Sequence, residues 1–425
     1  MKAIGIDIGT TGIGGILLDA ESGNVLKSVT KNSNSFIQTD NAWEKIQSVD
    51  KIITIATEIL DSLLTEDVIA IGVTGQMHGI LYYDKDGNAV SPLYTWQDER
   101  GDLPYQDTTY AKHLSSFSGY GCVTDFYNKV NGLVPETALG FCSIADYLVM
   151  KLCKNNNPLI HVTNGASFGC YDIKNKSFNY DASIMLTDRF AIAGCYKNVP
   201  VSVAIGDNQA SVLGSCKQDD LLINVGTGSQ VSVISNEVRL ADNIETRPYF
   251  EDKFLTVGSA LCGGRAYSLM KEFLREILSF KGETSDDEVY SIMNSMLKNL
   301  SNPTVKADTR FAGTRADKSV RGSFYNISIE NFKPAEFVNA VLSGMCEELY
   351  NLYLGFNQTR SSLVGTGNGV RKNPQFISCA QNLFNADLKI PVSSEEASFG
   401  SALFALIAIG KFNSVAEAQS LIKYQ

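Results

Sequence analysis

One carboxylate stands where a proton acceptor would be useful. In Ile205-Gly206-Asp207-Asn208-Gln209-Ala210, Asp207 follows an apolar run, Val201 to Ile205, across a glycine turn, and Ala210 to Gly214 then read as a small-residue helix. A hydroxyl that attacks phosphorus must lose its proton as the new bond forms, and an aspartate at a strand end suits that task. The same residue also fits an ordinary helix N-cap.

Two glycine turns offer phosphate-binding groups. Lys2 to Ile8 is a buried-strand pattern ending in Gly9-Thr10-Thr11, and Gly15 to Asp19 forms a second apolar run before the Ser22-Gly23-Asn24 turn. Leu221 to Val225 repeats the pattern before Gly226-Thr227-Gly228, and Gln230 to Ser235 alternates as its partner strand. Each reads as a β-hairpin whose tip exposes backbone N–H groups and hydroxyls. Asp7, two residues before the first turn, is placed to hold Mg²⁺ beside phosphate. A tight hairpin with no ligand is the alternative for either turn alone. A third cluster, Gly365-Thr366-Gly367-Asn368-Gly369, joins a strand to a helix start and can pass close to an adenosine and its α-phosphate.

Sugar recognition needs fixed polar groups and an aromatic platform. Gly75-Gln76-Met77-His78-Gly79 follows the strand Val68 to Val73, and Thr95-Trp96-Gln97-Asp98 places an indole near a carboxylate. Gln76, His78 and Asp98 can pair with adjacent hydroxyls while Trp96 covers a C–H face. A core histidine and a packed tryptophan are the plainer readings of His78 and Trp96.

These segments need two scaffolds. The chain has 425 residues, enough for two large lobes. Aligning Asp7 with Asn224 superimposes the two hairpins half a chain apart, which points to paired lobes meeting near 216–220. The spacing of Leu139, Ile144, Leu148 and Leu152 predicts a helix over Thr137 to Lys151, started by Pro135-Glu136-Thr137; Phe337, Val341, Met345 and Leu349 predict another over Pro334 to Tyr353.

Composition excludes several classes. The net charge of -10 opposes general nucleic-acid or acidic-membrane binding, and the 44% apolar content is that of an ordinary globular chain. The apolar stretch Ala402 to Ile409 is far too short to span a bilayer, and Asp7 interrupts what would be a signal-peptide core. Nine scattered cysteines without C-x-x-C spacing point to reduced thiols and a cytoplasmic location. With three histidines and no H-E-x-x-H, a zinc hydrolase is unsupported. No P-loop and no dinucleotide-binding G-x-G-x-x-G is present.

Taken in order, the first hairpin, G-Q-M-H-G, T-W-Q-D-x-R, the Pro135 to Lys151 helix, G-D-N-Q-A, the second hairpin and the third glycine cluster resemble the FGGY family of carbohydrate kinases across the whole chain. The resemblance implies an α/β fold of two actin-like ATPase (ribonuclease H-like) lobes, 1–217 and 218–425, with mixed sheets flanked by helices and a cleft between them. It implies Asp207 as the base, with Gln76, Met77, His78, Trp96, Asp98 and Asn208 at the sugar. Asp7 would serve Mg²⁺; Thr10, Thr11, Gly226, Thr227 and Gly228 the phosphates of ATP; and Gly365, Gly367 and Asn368 the adenosine side. Gly75 to Gly79 is similar to the xylulose-type members. Thr95 to Asp98, Arg247-Pro248-Tyr249-Phe250 and Leu261-Cys262-Gly263-Gly264 are more similar to those acting on sedoheptulose. The expected reaction is therefore ATP-dependent phosphorylation of a ketose at its terminal hydroxyl, sedoheptulose at C7, with xylulose or ribulose as the alternative. The expected partners are the ketose and ATP alone, in a monomer or homodimer. A non-catalytic sugar or nucleotide sensor and an actin-like or chaperone-like ATPase are the rival classes.

Overall fold

The computed structural model describes residues 1–425 except 183, 240, 242, 299, 315 and 316. The chain forms two compact units. The first comprises Met1–Lys217, Arg247–Phe254 and Glu395–Lys423; the second comprises Gln218–Thr246, Leu255–Ser394 and Tyr424–Gln425. The expected simple division into 1–217 and 218–425 is thus corrected, because two later segments fold with the first unit.

The first unit is built on a seven-stranded mixed sheet. Its order is Ile192–Tyr196, Val199–Ser202, Val68–Gly75, Lys2–Ile8, Gly12–Asp19 and Val25–Asn32, with the short strand Ile205–Gly206 also paired to Val68–Gly75. Lys2–Ile8 runs parallel to Val68–Gly75 and antiparallel to Gly12–Asp19, so the first predicted hairpin is present. The expected single strand Val201 to Ile205 is two shorter pieces, Val199–Ser202 and Ile205–Gly206.

Register places the chemistry. Asp7 lies opposite Thr74, and Ile205 lies opposite Thr74 in turn. The Thr74 hydroxyl donates to the Ile205 carbonyl at 2.8 Å. Asp7, Gln76 and Asp207 therefore emerge at the carboxyl ends of three adjacent parallel strands, where α/β sheets commonly place ligands.

The helix Glu396–Ala408 lies so close to this sheet that only glycine fits beneath it. Gly5 and Gly72 are register partners. A Cβ on Gly5 would stand 1.8 Å from Ser398 O, and one on Gly72 would stand 1.8 Å from Ser401 O. This backbone-to-backbone approach explains why the C-terminal segment belongs to the first unit. Ile6, Ile59 and Leu63 sit in an apolar core with Ile144 and Leu148.

The helix expected over Thr137 to Lys151 is corrected. Ala138–Cys142 is a strand paired with Leu81–Asp84, and the helix runs Ile144–Cys153. Its start is a capping box: the Ser143 side chain accepts from Asp146 N, and the Asp146 carboxylate accepts from Ser143 N.

The second unit has a six-stranded sheet ordered Ile244–Pro248, Phe254–Ala260, Ser229–Ser235, Asp220–Val225, Ser362–Thr366 and Leu388–Lys389. Asp220–Val225 and Ser229–Ser235 form the second predicted hairpin. The helix Pro334–Leu354 matches its expected range, with Val341, Met345 and Leu349 in the core and Phe337 partly buried against it. Among the described residues no helix is long and apolar enough to cross a membrane.

Candidate active site

Asp207 is the first residue of the helix Asp207–Ser215, with Gly206 as its N-cap. Asp207 is therefore not itself the cap. Burial raises its pKa to about 6, opposed by the positive charge of Arg247 and a backbone hydrogen bond at Asn208. Arg247 Nη1 donates to Asn208 Oδ1 at 3.1 Å, and Gln209 Nε2 donates to Pro248 O at 3.0 Å. The segment Arg247–Phe254 thus braces the start of the helix Asp207–Ser215. Met77 closes the other side, since a Cβ on Gly206 would lie 2.8 Å from Met77 Sδ.

Asp7 is the neighbouring carboxylate. Burial, then the charges of Asp207 and Glu395, raise its pKa to about 7. Asp7 Oδ1 is buried without a hydrogen-bond partner. Glu395 reaches the strand Val25–Asn32 beside that hairpin, with the Thr30 hydroxyl 3.5 Å from its Oε1. A buried carboxylate oxygen without a donor, in a field of like charge, suits a divalent cation. Among the described residues no cluster of three or more His, Cys, Asp or Glu side chains forms a complete metal site. Mg²⁺ at Asp7 would thus take its remaining ligands from phosphate and water, as this ion commonly does.

Thr10 joins the first turn to Trp96 and Gln76. Its hydroxyl accepts from Trp96 Nε1 at 2.9 Å and lies 3.5 Å from Gln76 Oε1. Gln76 Nε2 donates to Gln47 Oε1 at 2.9 Å, and Gln47 Nε2 donates to Thr10 O at 2.6 Å. Trp96 is 46% exposed, with its indole N–H held by Thr10. That arrangement suits a carbohydrate platform better than a core role. Thr11 is exposed beside it.

His78 has a left-handed backbone, φ 73°. Its N–H donates to Ser167 Oγ at 3.1 Å, and its Nδ1 lies 2.7 Å from Ser167 O. A carbonyl only accepts, so Nδ1 carries a proton directed at Ser167 O. Tyr120 stacks on the imidazole with centroids 4.2 Å apart.

Asp98 does not join this group. Its side chain is wholly buried against Arg100, with Oδ1 2.6 Å from Nε. It also accepts from Arg100 N, Arg100 Nη2 and Lys45 N. Four donors occupy both oxygens, and none remains for a sugar hydroxyl. Sequence reasoning also missed Gln47, Tyr120 and Ser167, and quoted Arg247 only for its resemblance. Of these, Ser167 alone carried a local signal, the small polar run Thr163 to Ser167.

In the second unit, Gly226 and Thr227 are exposed at the hairpin tip. Their carbonyls accept from Gly264 N at 2.9 Å and Arg265 N at 3.0 Å, the first residues of the helix Gly264–Ser279. Gly228 packs against that helix entry, for a Cβ on Gly263 would stand 2.4 Å from the Gly228 carbonyl carbon. The third glycine cluster lies beside this hairpin: Asn224 Nδ2 donates to Thr366 Oγ1 at 3.0 Å. Gly367, at φ 83°, leaves no room for a Cβ against Val225 O. Asn368 is exposed at the start of a short helix. Gly365 is instead walled in by Leu388 and Val370, so it serves the strand and offers no surface to a ligand.

Comparison with known proteins agrees with this geometry. The model of the FGGY family of carbohydrate kinases, N-terminal domain, matches residues 2–117. Sedoheptulokinase of Mus musculus is 28% identical, over 95% of this chain and 97% of that protein. Xylulose kinase of Lactococcus lactis is 25% identical, over 99% of this chain and 91% of that protein. A ligand-bound xylulose kinase from Lactobacillus acidophilus superposes with a TM-score of 0.86 at 18% identity, covering 100% of this chain and 92% of that one, so the fold is shared. Residues 2–117 thus match the N-terminal domain of the FGGY family of carbohydrate kinases, and the chain is similar to sugar kinases along nearly its whole length.

Proposed function

We propose that the protein transfers the γ-phosphoryl group of ATP to the terminal primary hydroxyl of a ketose, sedoheptulose at C7. The carrying observation is Asp207: a carboxylate at the carboxyl end of the sheet, held near pKa 6, one strand from Asp7. A base with that pKa is ionised at neutral pH yet still able to take a proton.

The sugar lies against Trp96, with His78 and Gln76 as hydrogen-bonding groups and Met77 and Asn208 beside the base. Asp207 accepts the hydroxyl proton as oxygen bonds to the γ-phosphorus. The bond from that phosphorus to the β,γ-bridging oxygen breaks, and ADP leaves with its electron pair. Positioning and electrostatics carry most of such a transfer. Asp7 would hold Mg²⁺, which supplies charge neutralisation to the phosphates when bound. Thr10, Thr11, Gly226, Thr227 and Gly228 are the residues assigned to the phosphates. Gly367 and Asn368 serve the adenosine side.

The choice of ketose rests on similarity to a sedoheptulokinase over 95% of the chain. A pentulose is the second reading, supported by the xylulose kinase relatives. The scattered cysteines favour a cytoplasmic location, and the protein is taken to act as a monomer or homodimer. A coupled ADP-release assay with sedoheptulose, xylulose, ribulose and no sugar decides the matter. The highest kcat/KM is expected with sedoheptulose. A pentulose preference refutes the heptulose, and ADP release that no sugar stimulates refutes ketose phosphorylation.

A further inference from the structure

The base turn is held by a side chain that no motif includes. Gly206 N–H donates to Thr163 Oγ1 at 3.1 Å, across 43 residues of chain. Thr163 is itself fixed. Its N–H donates to His161 Nδ1 at 3.2 Å, so that nitrogen bears the lone pair. The Thr163 hydroxyl, 2.9 Å from the same nitrogen, must then donate to it. Its oxygen is left facing Gly206 as an acceptor. Both side chains are buried, at 0% exposure for His161 and 1% for Thr163. Burial holds the His161 pKa at about 3, which keeps the ring neutral and the direction of these bonds constant.

The same segment reaches the sugar side. Four residues on, Ser167 receives the His78 N–H and ring contacts already described. Between them Asn164 Nδ2 donates to Asp146 Oδ1 at 3.2 Å, which anchors the segment to the capping box of the helix Ile144–Cys153. A short piece of chain thus sets the sugar-side turn and the base turn in one frame.

We propose that Thr163 is a positioning residue for phosphoryl transfer: its hydroxyl, turned by His161, holds the Gly206 N–H and so fixes where Asp207 starts its helix. This rests on Asp207 being the base. Thr163 touches neither substrate, so losing its hydroxyl should disturb the chemical step and leave ground-state binding alone.

The test is a graded series, Thr163→Ser, Thr163→Cys and Thr163→Val, assayed beside Asp207→Asn with the preferred ketose. Thr163→Val should lower kcat roughly 10- to 100-fold, the scale of a small misplacement of a reacting group, with KM for ketose and for ATP within about twofold. Thr163→Ser should restore kcat to within about threefold of wild type, and Thr163→Cys, a weaker acceptor, should fall between. Should Thr163→Val not fold, the cysteine and serine variants carry the comparison. Active-site titration separates a slower catalyst from a smaller folded fraction. A series with unchanged kcat per active site, or one that raises only KM, overturns the proposal. If Asp207→Asn itself keeps near-wild-type turnover, the base assignment fails first and the positioning role falls with it. Loss in Asp207→Asn with full turnover in Thr163→Val overturns the positioning role alone.

Discussion

Replacing Asp207 with asparagine should stabilise the protein and disable it, and pH should tune the stabilisation. The native carboxyl has a pKa of about 6 against an ordinary 3.8, mainly because burial penalises its charge. Between those two values the native state keeps a proton that the unfolded chain has released. Wild-type stability therefore falls as pH rises through this window, and levels off above pH 6. Two pKa units correspond to about 3 kcal/mol, an upper value because the residue keeps part of its surface exposed. Asparagine cannot ionise, so the variant escapes this loss. The Asp207 charge is also the second cause of the raised Asp7 pKa, and its removal acts in the same direction. The stability of Asp207→Asn relative to wild type should grow by on the order of 2–3 kcal/mol from pH 4 to pH 8. Urea unfolding at several pH values measures it. Tryptophan fluorescence is a suitable signal, because both tryptophans, Trp43 and Trp96, lie in the first unit. Loss of the base should lower kcat by roughly 10²- to 10⁴-fold. A stability difference that is flat with pH, or that moves toward wild type as pH rises, would refute the reasoning about this carboxyl even if activity were lost.

Trp96→Ala should raise KM for the ketose about tenfold, the loss of a stacking contact of roughly 1.4 kcal/mol, with KM for ATP little changed. Steady-state kinetics in both substrates checks it, and equal changes in the two KM values would make Trp96 structural. Gly5→Ala should destabilise the first unit by at least several kcal/mol, because its Cβ would stand 1.8 Å from a backbone oxygen, Ser398 O, that cannot rotate away. Thermal melting of soluble protein reads this, and a melting point within a degree of wild type would contradict the packing described.

What was legible in the sequence was the local course of the backbone. Tight turns with open backbone N–H groups need glycines and small hydroxyl residues in consecutive positions, so Gly9-Thr10-Thr11 and Gly226-Thr227-Gly228 announced their hairpins locally. Asp207 was legible for the same reason, since its glycine turn and helix start are contiguous. Reading failed where distant partners decide. Leu139, Ile144, Leu148 and Leu152 fit a helical spacing, yet Ala138–Cys142 pairs as a strand with Leu81–Asp84, more than fifty residues earlier. The true helix start was nevertheless written in Ser143 and Asp146, a capping box that outweighs periodicity at a boundary. Asp98 looked like a sugar ligand beside Trp96, but Arg100 two residues on takes its carboxylate inward. The helix Glu396–Ala408 was assigned by chain order to the second lobe. Its fit over Gly5 and Gly72 depends on which strands are neighbours, and no run of sequence states that. Thr163 is the extreme case, a residue whose partner is a backbone N–H 43 positions away. A group that grips a ligand through its own turn can be found from sequence; a group that aims another residue is found only when the fold shows what it holds.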